Sequence, residues 1–276
     1  MIKYNFYISI ITLSKNDNQK FLRTLNSILS QIKEYKIEWI LVDGSNFKNQ
    51  EKKIKLIKKL FDKSKEENIS LKYINSKKMG IVGIYPCMNY AKKIARGKYI
   101  MFLNSGDIFF KNNSLKIIIE NSRDIDPNNS LIFGQANNVA SSKINWLFPG
   151  NKLKNIQKWL RFFEPNHQSM IISKSLANNY EFSINYNSIS DGYWKRQIIN
   201  NAIDIIYIKT PIVKFFFDGV STLKPSKQLT IDIIKNKKIS VLRKLIFIVK
   251  YLLPENLFFI YHKLQKYKSL MIDFIF

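Results

Sequence analysis

The sequence predicts an α/β fold: a mostly parallel sheet flanked by helices, followed by a C-terminal basic amphipathic helical extension. Three observations predict it. Short, continuous apolar runs rich in β-branched residues alternate with segments whose apolar residues recur at helical spacing. Polar stretches follow the runs that end at Leu13, Val42 and Leu103, as they do at the carboxyl edge of a parallel sheet. From residue 224 onward the pattern changes to basic helices, with 11 Lys or Arg against three acidic residues.

Residues 6–13, FYISIITL, read as a buried strand. Phe21, Leu22, Leu25, Ile28, Leu29 and Ile32 then fall on one helical face. IEWILV, residues 37–42, is the second strand and ends in Asp43-Gly44-Ser45-Asn46. A Lys-rich helix follows with Ile54, Ile57, Leu60 and Phe61 on its apolar face, and ISLKYI, residues 69–74, is the third strand. Ile84, Met88, Ala91, Ile94 and Ala95 mark the next helix, with Gly97 as its expected C-terminal cap. KYIMFL then forms the fourth strand and leads into Asn104-Ser105-Gly106-Asp107. Beyond residue 130, SLIFGQA and SMIIS read as strands and SISDGYWKRQIINNA as a helix beginning near Ser190. IDIIYIKTPIVKFFFDGVST reads as one or two strands and a polar turn. No internal repeat and no Gly/Ser/Pro-rich linker interrupts the chain, so one α/β domain is expected over 1–223 and the basic tail over 224–276.

Composition sets outer bounds. With 46% hydrophobic residues the chain carries ample material for a core. A formal charge of +25 points to an anionic partner: a phosphorylated ligand, an anionic membrane surface or nucleic acid. The abundance of Lys, Ile and Asn also fits a compositional bias without function. Cys87 is the only cysteine, which excludes an intrachain disulfide and a Cys-based zinc site and suits a reducing cytoplasm. No signal segment and no spanning helix is expected. In the tail, Val241, Leu245, Val249 and Leu252 share a helical face beside Arg243, Lys244 and Lys250. That pattern suits an anionic membrane interface, and equally a helix packed on the domain or on a second subunit.

Four polar spots carry chemistry. Asp43-Gly44 suits a turn, and its carboxylate also suits a hydrogen bond to a base or ribose. Asn104 to Asp107 is likewise a turn sequence, yet Asn104, Ser105 and Asp107 supply the oxygen ligands that Mg²⁺ or Mn²⁺ prefers. His167, one of only two histidines, sits in a polar Glu-Pro-Asn-His-Gln stretch, as a structural residue or as a donor to a phosphate or sugar hydroxyl. Asp191 suits either a helix cap or a general base for a hydroxyl nucleophile.

The phrases SIITLSKND, TLNSILSQ, EWILVDGSN, GIYPCMNYAKKIARGKYIMFLNSGDIF, HQSMIISKSL and SDGYWKRQI, in this order, resemble family 2 glycosyltransferases of the Rossmann-like GT-A fold, in particular bacterial members that build surface polysaccharides. The resemblance covers about residues 6–223. It implies inverting transfer of a hexose from a nucleotide-diphosphate donor, usually UDP-linked, to a saccharide or lipid-linked saccharide acceptor. It further implies that Thr12 and Asp43 hold the nucleoside and that Asn104, Ser105 and Asp107 occupy the metal motif, with Asp107 the metal ligand. By the same resemblance Asp191 is the catalytic base, His167 and Gln168 lie near the donor sugar, and Asp218-Gly219-Val220-Ser221 closes over the diphosphate. The expected cofactor is Mg²⁺ or Mn²⁺. The expected place is the cytoplasm, peripheral at the inner face of the cell membrane, with no nucleic-acid partner. The chain departs from the pattern at Asn104, where a carboxylate is usual, and at Ile81 and Pro86, where the group carries Asp.

Other readings are a degenerate, non-catalytic domain, suggested by Ile81 and Pro86, and a basic nucleic-acid-binding protein, suggested by charge alone. Zinc-finger spacing and an RNP-like motif are missing. A nucleotidyltransferase would need a glycine-rich loop after the first strand, and the stretch after Leu13 has no glycine.

Overall fold

A computed structural model describes residues 4–32, 34–64, 67–184, 190–218, 225–235, 241–254 and 257–275. Its sheet runs in the order β3-β2-β1-β4-β8-β6-β9-β5, with β7 paired to β6.

The first half follows the alternation in the sequence. β1 (Phe6–Ser14), α1 (Asn18–Leu29), β2 (Ile37–Asp43), α2 (Phe47–Ser64), β3 (Ile69–Asn75), α3 (Ile84–Ile94) and β4 (Gly97–Phe102) form a parallel β3-β2-β1-β4 core. Every residue of β2 is buried, as expected for a strand covered by helices on both faces. The second half is mixed. β5 (Ile108–Phe109), α4 (Ser114–Ser122), β6 (Ser130–Val139), β7 (Asn145–Phe148), α5 (Ile156–Leu160), a 3₁₀ turn at His167–Ser169, β8 (Met170–Ser173), α6 (Lys174–Asn179), α7 (Ser190–Asn201) and β9 (Asp204–Phe216) complete it. β8 runs antiparallel to both β4 and β6, while β6 and β9 are parallel. The long apolar run after residue 203 is one 13-residue strand, not two.

Gly97 does not cap α3. That helix ends at Ile94 with Ala95 extended, and Gly97 opens β4. The reason is close approach: a Cβ on Gly97 would lie 2.5 Å from the backbone N of Ser9 in β1. Ile32, Ile54 and Ile84, read as apolar-face residues, point outward instead. In α2 the inward positions belong to Gln50, Lys53 and Ile57. A buried lysine therefore takes a place that periodicity assigns to an aliphatic residue.

Three helices follow β9: α8 (Lys227–Lys235), α9 (Val241–Leu252) and α10 (Phe258–Ile275). Ile272 of α10 joins the main hydrophobic cluster, and the His262 ring meets Phe217 edge-on at 5.2 Å. Val241, Leu245, Val249 and Leu252 on α9, with Leu264, Tyr267, Leu270 and Met271 on α10, remain exposed. Among the described residues no helix is long and apolar enough to cross a membrane.

Candidate active site

The polar ends of β1, β2 and β4 meet at one sheet edge. Asn104 to Asp107 forms a turn in which the Asp107 N–H donates to the Asn104 carbonyl at 3.0 Å and Gly106 adopts φ +105°. The Ser105 N–H ties the turn to Leu13 of β1 at 3.1 Å. Thr24 of α1 clamps it from below, accepting the Gly106 N–H at 2.9 Å and donating to the Asp107 carbonyl at 2.8 Å. The turn reading of this stretch is therefore correct as local geometry, and it is also what presents the side chains.

Asp107 is buried, and its Oδ1 accepts the Phe216 backbone N–H at 3.0 Å. Burial pushes its carboxyl up to about 8; the Phe216 N–H, the nearby Arg23 charge and a side-chain hydrogen bond with Gln168 pull the other way, and Asp218 adds to the rise. Asn104 Oδ1 and Ser105 Oγ are buried without a hydrogen-bond partner. These oxygens share one turn with the Asp107 carboxylate. One carboxylate with neutral oxygens fits Mg²⁺ or Mn²⁺, which keep several waters and take the rest of their ligands from a bound phosphate. Among the described residues no group of three His, Cys, Asp or Glu forms a denser cation site.

The 3₁₀ turn before β8 brings His167 and Gln168 to this edge. The His167 ring lies 4.7 Å from Phe102, the last residue of β4, and also packs on Phe182 and Trp194. Burial holds its imidazole down at about 4; the Asp191 charge opposes that shift and Lys195 adds to it. His167 Nε2 is buried without a partner. Asp191 stands in the first turn of α7, partly exposed. Backbone hydrogen bonds from Asp191 and Ser190 reach the Tyr85 hydroxyl, while burial and then the Asp191 charge push that phenol above its usual range. α7 is further held by Arg196, which pairs with Glu164, and by Lys195, which donates to the Pro165 carbonyl at 3.2 Å.

The Gly83-Ile84-Tyr85…Met88-Asn89 phrase builds the support for that helix. Asn89 exchanges two hydrogen bonds with the Phe182 backbone, at 2.8 and 2.9 Å. Phe182 in turn stacks on Trp194 of α7 at 4.3 Å and on Tyr85 at 5.8 Å. Lys92 reaches the carbonyls of Ala177 and Tyr180 with its ammonium buried, and burial lowers it to about 8.

Thr12 and Asp43 lie at the same edge but are engaged within the fold. The Thr12 hydroxyl donates to the Leu103 carbonyl at 2.7 Å and accepts from Trp39 Nε1 at 3.0 Å. Asp43 accepts from the Ser45 N–H at 2.9 Å and Lys53 Nζ at 3.1 Å through one oxygen, and from the Tyr73 hydroxyl at 3.0 Å through the other. Lys53 has no exposed surface and also reaches Ser14, Ser45 and Asp17. Of the late polar turn, Asp218 is described and 219–221 lie outside the described residues. Asp218 meets Lys20 and Arg23 of α1, which no motif pointed to.

The family model for glycosyl transferase family 2 matches residues 9–179, more than half of the chain and the whole edge from β1 to β8. The chain belongs to glycosyl transferase family 2. Membership makes it a glycosyltransferase, and the GT-A-type α/β sheet expected from its motifs is the fold observed. No curated protein sequence matches it. Solved structures similar to this glycosyltransferase include residues 1–349 of TarS from S. aureus in complex with UDP, at 16% identity and a TM-score of 0.58, covering 89% of this chain and 70% of that one. The same TarS fragment in complex with UDP-GlcNAc is similar at 14% identity and a TM-score of 0.59, covering 89% and 71%. A mannosyltransferase, PcManGT from Pyrobaculum calidifontis, in complex with GDP-Man and Mn²⁺, is similar at 12% identity and a TM-score of 0.53, covering 98% and 74%.

Proposed function

We propose that this glycosyltransferase moves a hexose, with inversion, from a nucleotide-diphosphate donor to a hydroxyl of a saccharide or lipid-linked saccharide during assembly of a surface polysaccharide such as O-antigen, capsule or lipopolysaccharide. UDP is the first nucleotide to test, because TarS is seen with UDP and UDP-GlcNAc; GDP is the second, because PcManGT is seen with GDP-Man. The observation that carries this reading is convergence: the Asp191 charge acts on His167, and the next residue, Gln168, hydrogen-bonds the side chain of Asp107 in the turn after β4.

In this reading Asp191 takes the proton of the acceptor hydroxyl as that oxygen attacks the anomeric carbon. The bond from that carbon to the donor diphosphate breaks, and the electron pair leaves with the nucleoside diphosphate. A divalent cation, when bound, stabilises the charge developing on the leaving diphosphate, and Asn104, Ser105 and Asp107 are the residues that would hold it. His167, kept neutral by burial, and Gln168 position the donor sugar. Thr12 and Asp43 act at the nucleoside end through the wall that their internal bonds hold in place.

We place the enzyme at the inner face of the cell membrane. The exposed apolar side chains of α9 and α10, beside Lys residues and on a chain of charge +25, suit an anionic lipid surface. A donor screen tests the reaction: UDP and GDP release from nucleotide sugars, with and without Mn²⁺, using lipid-linked acceptor mimics. Release with neither nucleotide under any condition would favour the non-catalytic reading.

A further inference from the structure

The turn that carries Asp107 has a second charged boundary, formed by α1. Gly106 lies under Arg23: a Cβ at that glycine would sit 3.1 Å from Arg23 Nη2 and 3.6 Å from Lys20 Cβ and Cδ. The Arg23 guanidinium rests on the Phe216 ring at 3.7 Å, a contact that orients it over the end of β9. Its Nε is buried without an acceptor. One Nη reaches Asp218 Oδ2 at 3.3 Å, a long contact made by a single nitrogen, not the bidentate fork a guanidinium prefers. Lys20 Nζ donates to the Asp218 carbonyl and lies 3.6 Å from its carboxylate. Both cations keep about a third of their side chains open to solvent, at 37% for Lys20 and 32% for Arg23.

The acids facing this pair are Asp218, itself 44% exposed, and the buried Asp107. Asp107 Oδ1 is taken up by the Phe216 N–H, so the side-chain ion pairs of Lys20 and Arg23 both run to the one carboxylate of Asp218. The metal motif beside them offers a single carboxylate because Asn104 opens it. A nucleoside diphosphate carries more negative charge than one divalent cation offsets, which leaves charge for side-chain cations at the same edge.

We propose that Lys20 and Arg23 bind the diphosphate of the donor, and that Asp218 holds the two cations in place until the donor displaces it. This rests on the reading of the chain as a nucleotide-sugar transferase. A guanidinium with an unused N–H and an ammonium on the same face of the turn match the geometry and charge of phosphate oxygens. The pair supplements whatever cation Asn104, Ser105 and Asp107 hold.

Calorimetric titration of the full chain with UDP and with GDP, in Mn²⁺ and separately in EDTA, tests the proposal. Lys20→Gln with Arg23→Gln should weaken nucleotide binding by about tenfold to a hundredfold in both buffers, the size expected for lost charge-assisted bonds. It should also flatten the dependence of affinity on ionic strength. Asp218→Asn should leave affinity unchanged or raise it, because it removes the competitor for the same two cations. Affinity within twofold of wild type in the double variant overturns the proposal while the donor reading stands. Equal affinity losses in the double variant and in Asp218→Asn, with equal falls in Tm, also overturn it, because the pair would then only hold the turn after β9. A wild-type chain that binds neither nucleotide overturns both.

Discussion

Phe216 donates its backbone N–H to Asp107 Oδ1 at 3.0 Å, joining the end of β9 to the turn after β4 across 109 residues of sequence. That bond separates two roles of Asp107 that substitution can distinguish. Asp107→Asn keeps an acceptor for the N–H, whereas Asp107→Ala leaves a buried donor unsatisfied at a cost of about 1–3 kcal/mol. Both are expected to remove the Mn²⁺-dependent part of UDP affinity, and Asp107→Ala alone should lower Tm. Titration calorimetry with thermal melting checks this; unchanged UDP affinity in Mn²⁺ contradicts the metal role.

Asp191→Asn is expected to lower turnover by about 10²–10⁴-fold, the range for a lost general base. Donor affinity should hold within a few-fold, because the amide keeps the shape of the helix start above Tyr85. Steady-state turnover beside UDP titration decides it. Turnover within a few-fold of wild type would assign the base to another residue.

His167 should shape the acid limb of stability. Its imidazole is lowered to about 4 in the folded protein, so the unfolded chain binds the extra proton first as pH falls. Its contribution is therefore present above about pH 6.5, the unperturbed value, and declines as pH falls toward 4. His167→Phe keeps a ring against Phe102, Phe182 and Trp194 but cannot protonate. The Tm difference between the variant and wild type should grow in the variant's favour from pH 7 to pH 5. A constant difference across that range would rule out the buried neutral imidazole.

Lys53→Met should destabilise the chain by about 3–5 kcal/mol, because it leaves Asp43 buried without its cation. Urea unfolding measures this. Adding Asp43→Asn should recover part of the loss. A Lys53→Met variant within 1 kcal/mol of wild type, on the scale of about 0–1 kcal/mol for a surface pair, would mean that the ion pair is solvated.

Glutamate at Leu245, Val249, Leu264 and Met271, all exposed apolar positions on α9 and α10, should abolish flotation with anionic liposomes while Tm stays near wild type. Flotation of wild type should weaken as salt is raised. Equal flotation of variant and wild type would remove these helices from the membrane contact.

Much of this architecture is legible in the residues themselves. The apolar runs at 6–13, 37–42 and 98–103 can be placed because a strand buried on both faces needs nearly continuous apolar character. The polar stretches after Leu13, Val42 and Leu103 can be placed at one edge because parallel strands share a carboxyl end. Periodicity misplaces Ile32, Ile54 and Ile84, since it scores apolarity and not the neighbour each face meets. Lys53 is the telling case. It shares a helical face with Gln50 and Ile57, and only the nearness of Asp43, Asp17, Ser14 and Ser45 makes an ammonium stable there. Gly97 reads as a helix cap because the approach of the β1 backbone, which excludes a Cβ, comes from a strand almost 90 residues away.

The sequence by itself determined the alternating strands and helices, the sheet edge where polar residues gather, and the motif order that marks glycosyl transferase family 2, because these depend on local period and on residues close in the chain. The tertiary structure alone decided which side chains of that edge are engaged inside the fold and which stand ready. Asp43 is closed off by Lys53 and Tyr73, Asp107 is bound to Phe216, and Arg23 with Lys20 is drawn over Gly106 to Asp218. The reason is physical: the state of a buried charge is set by what lies within a few ångströms of it, and here those neighbours arrive from 10 to nearly 200 residues away.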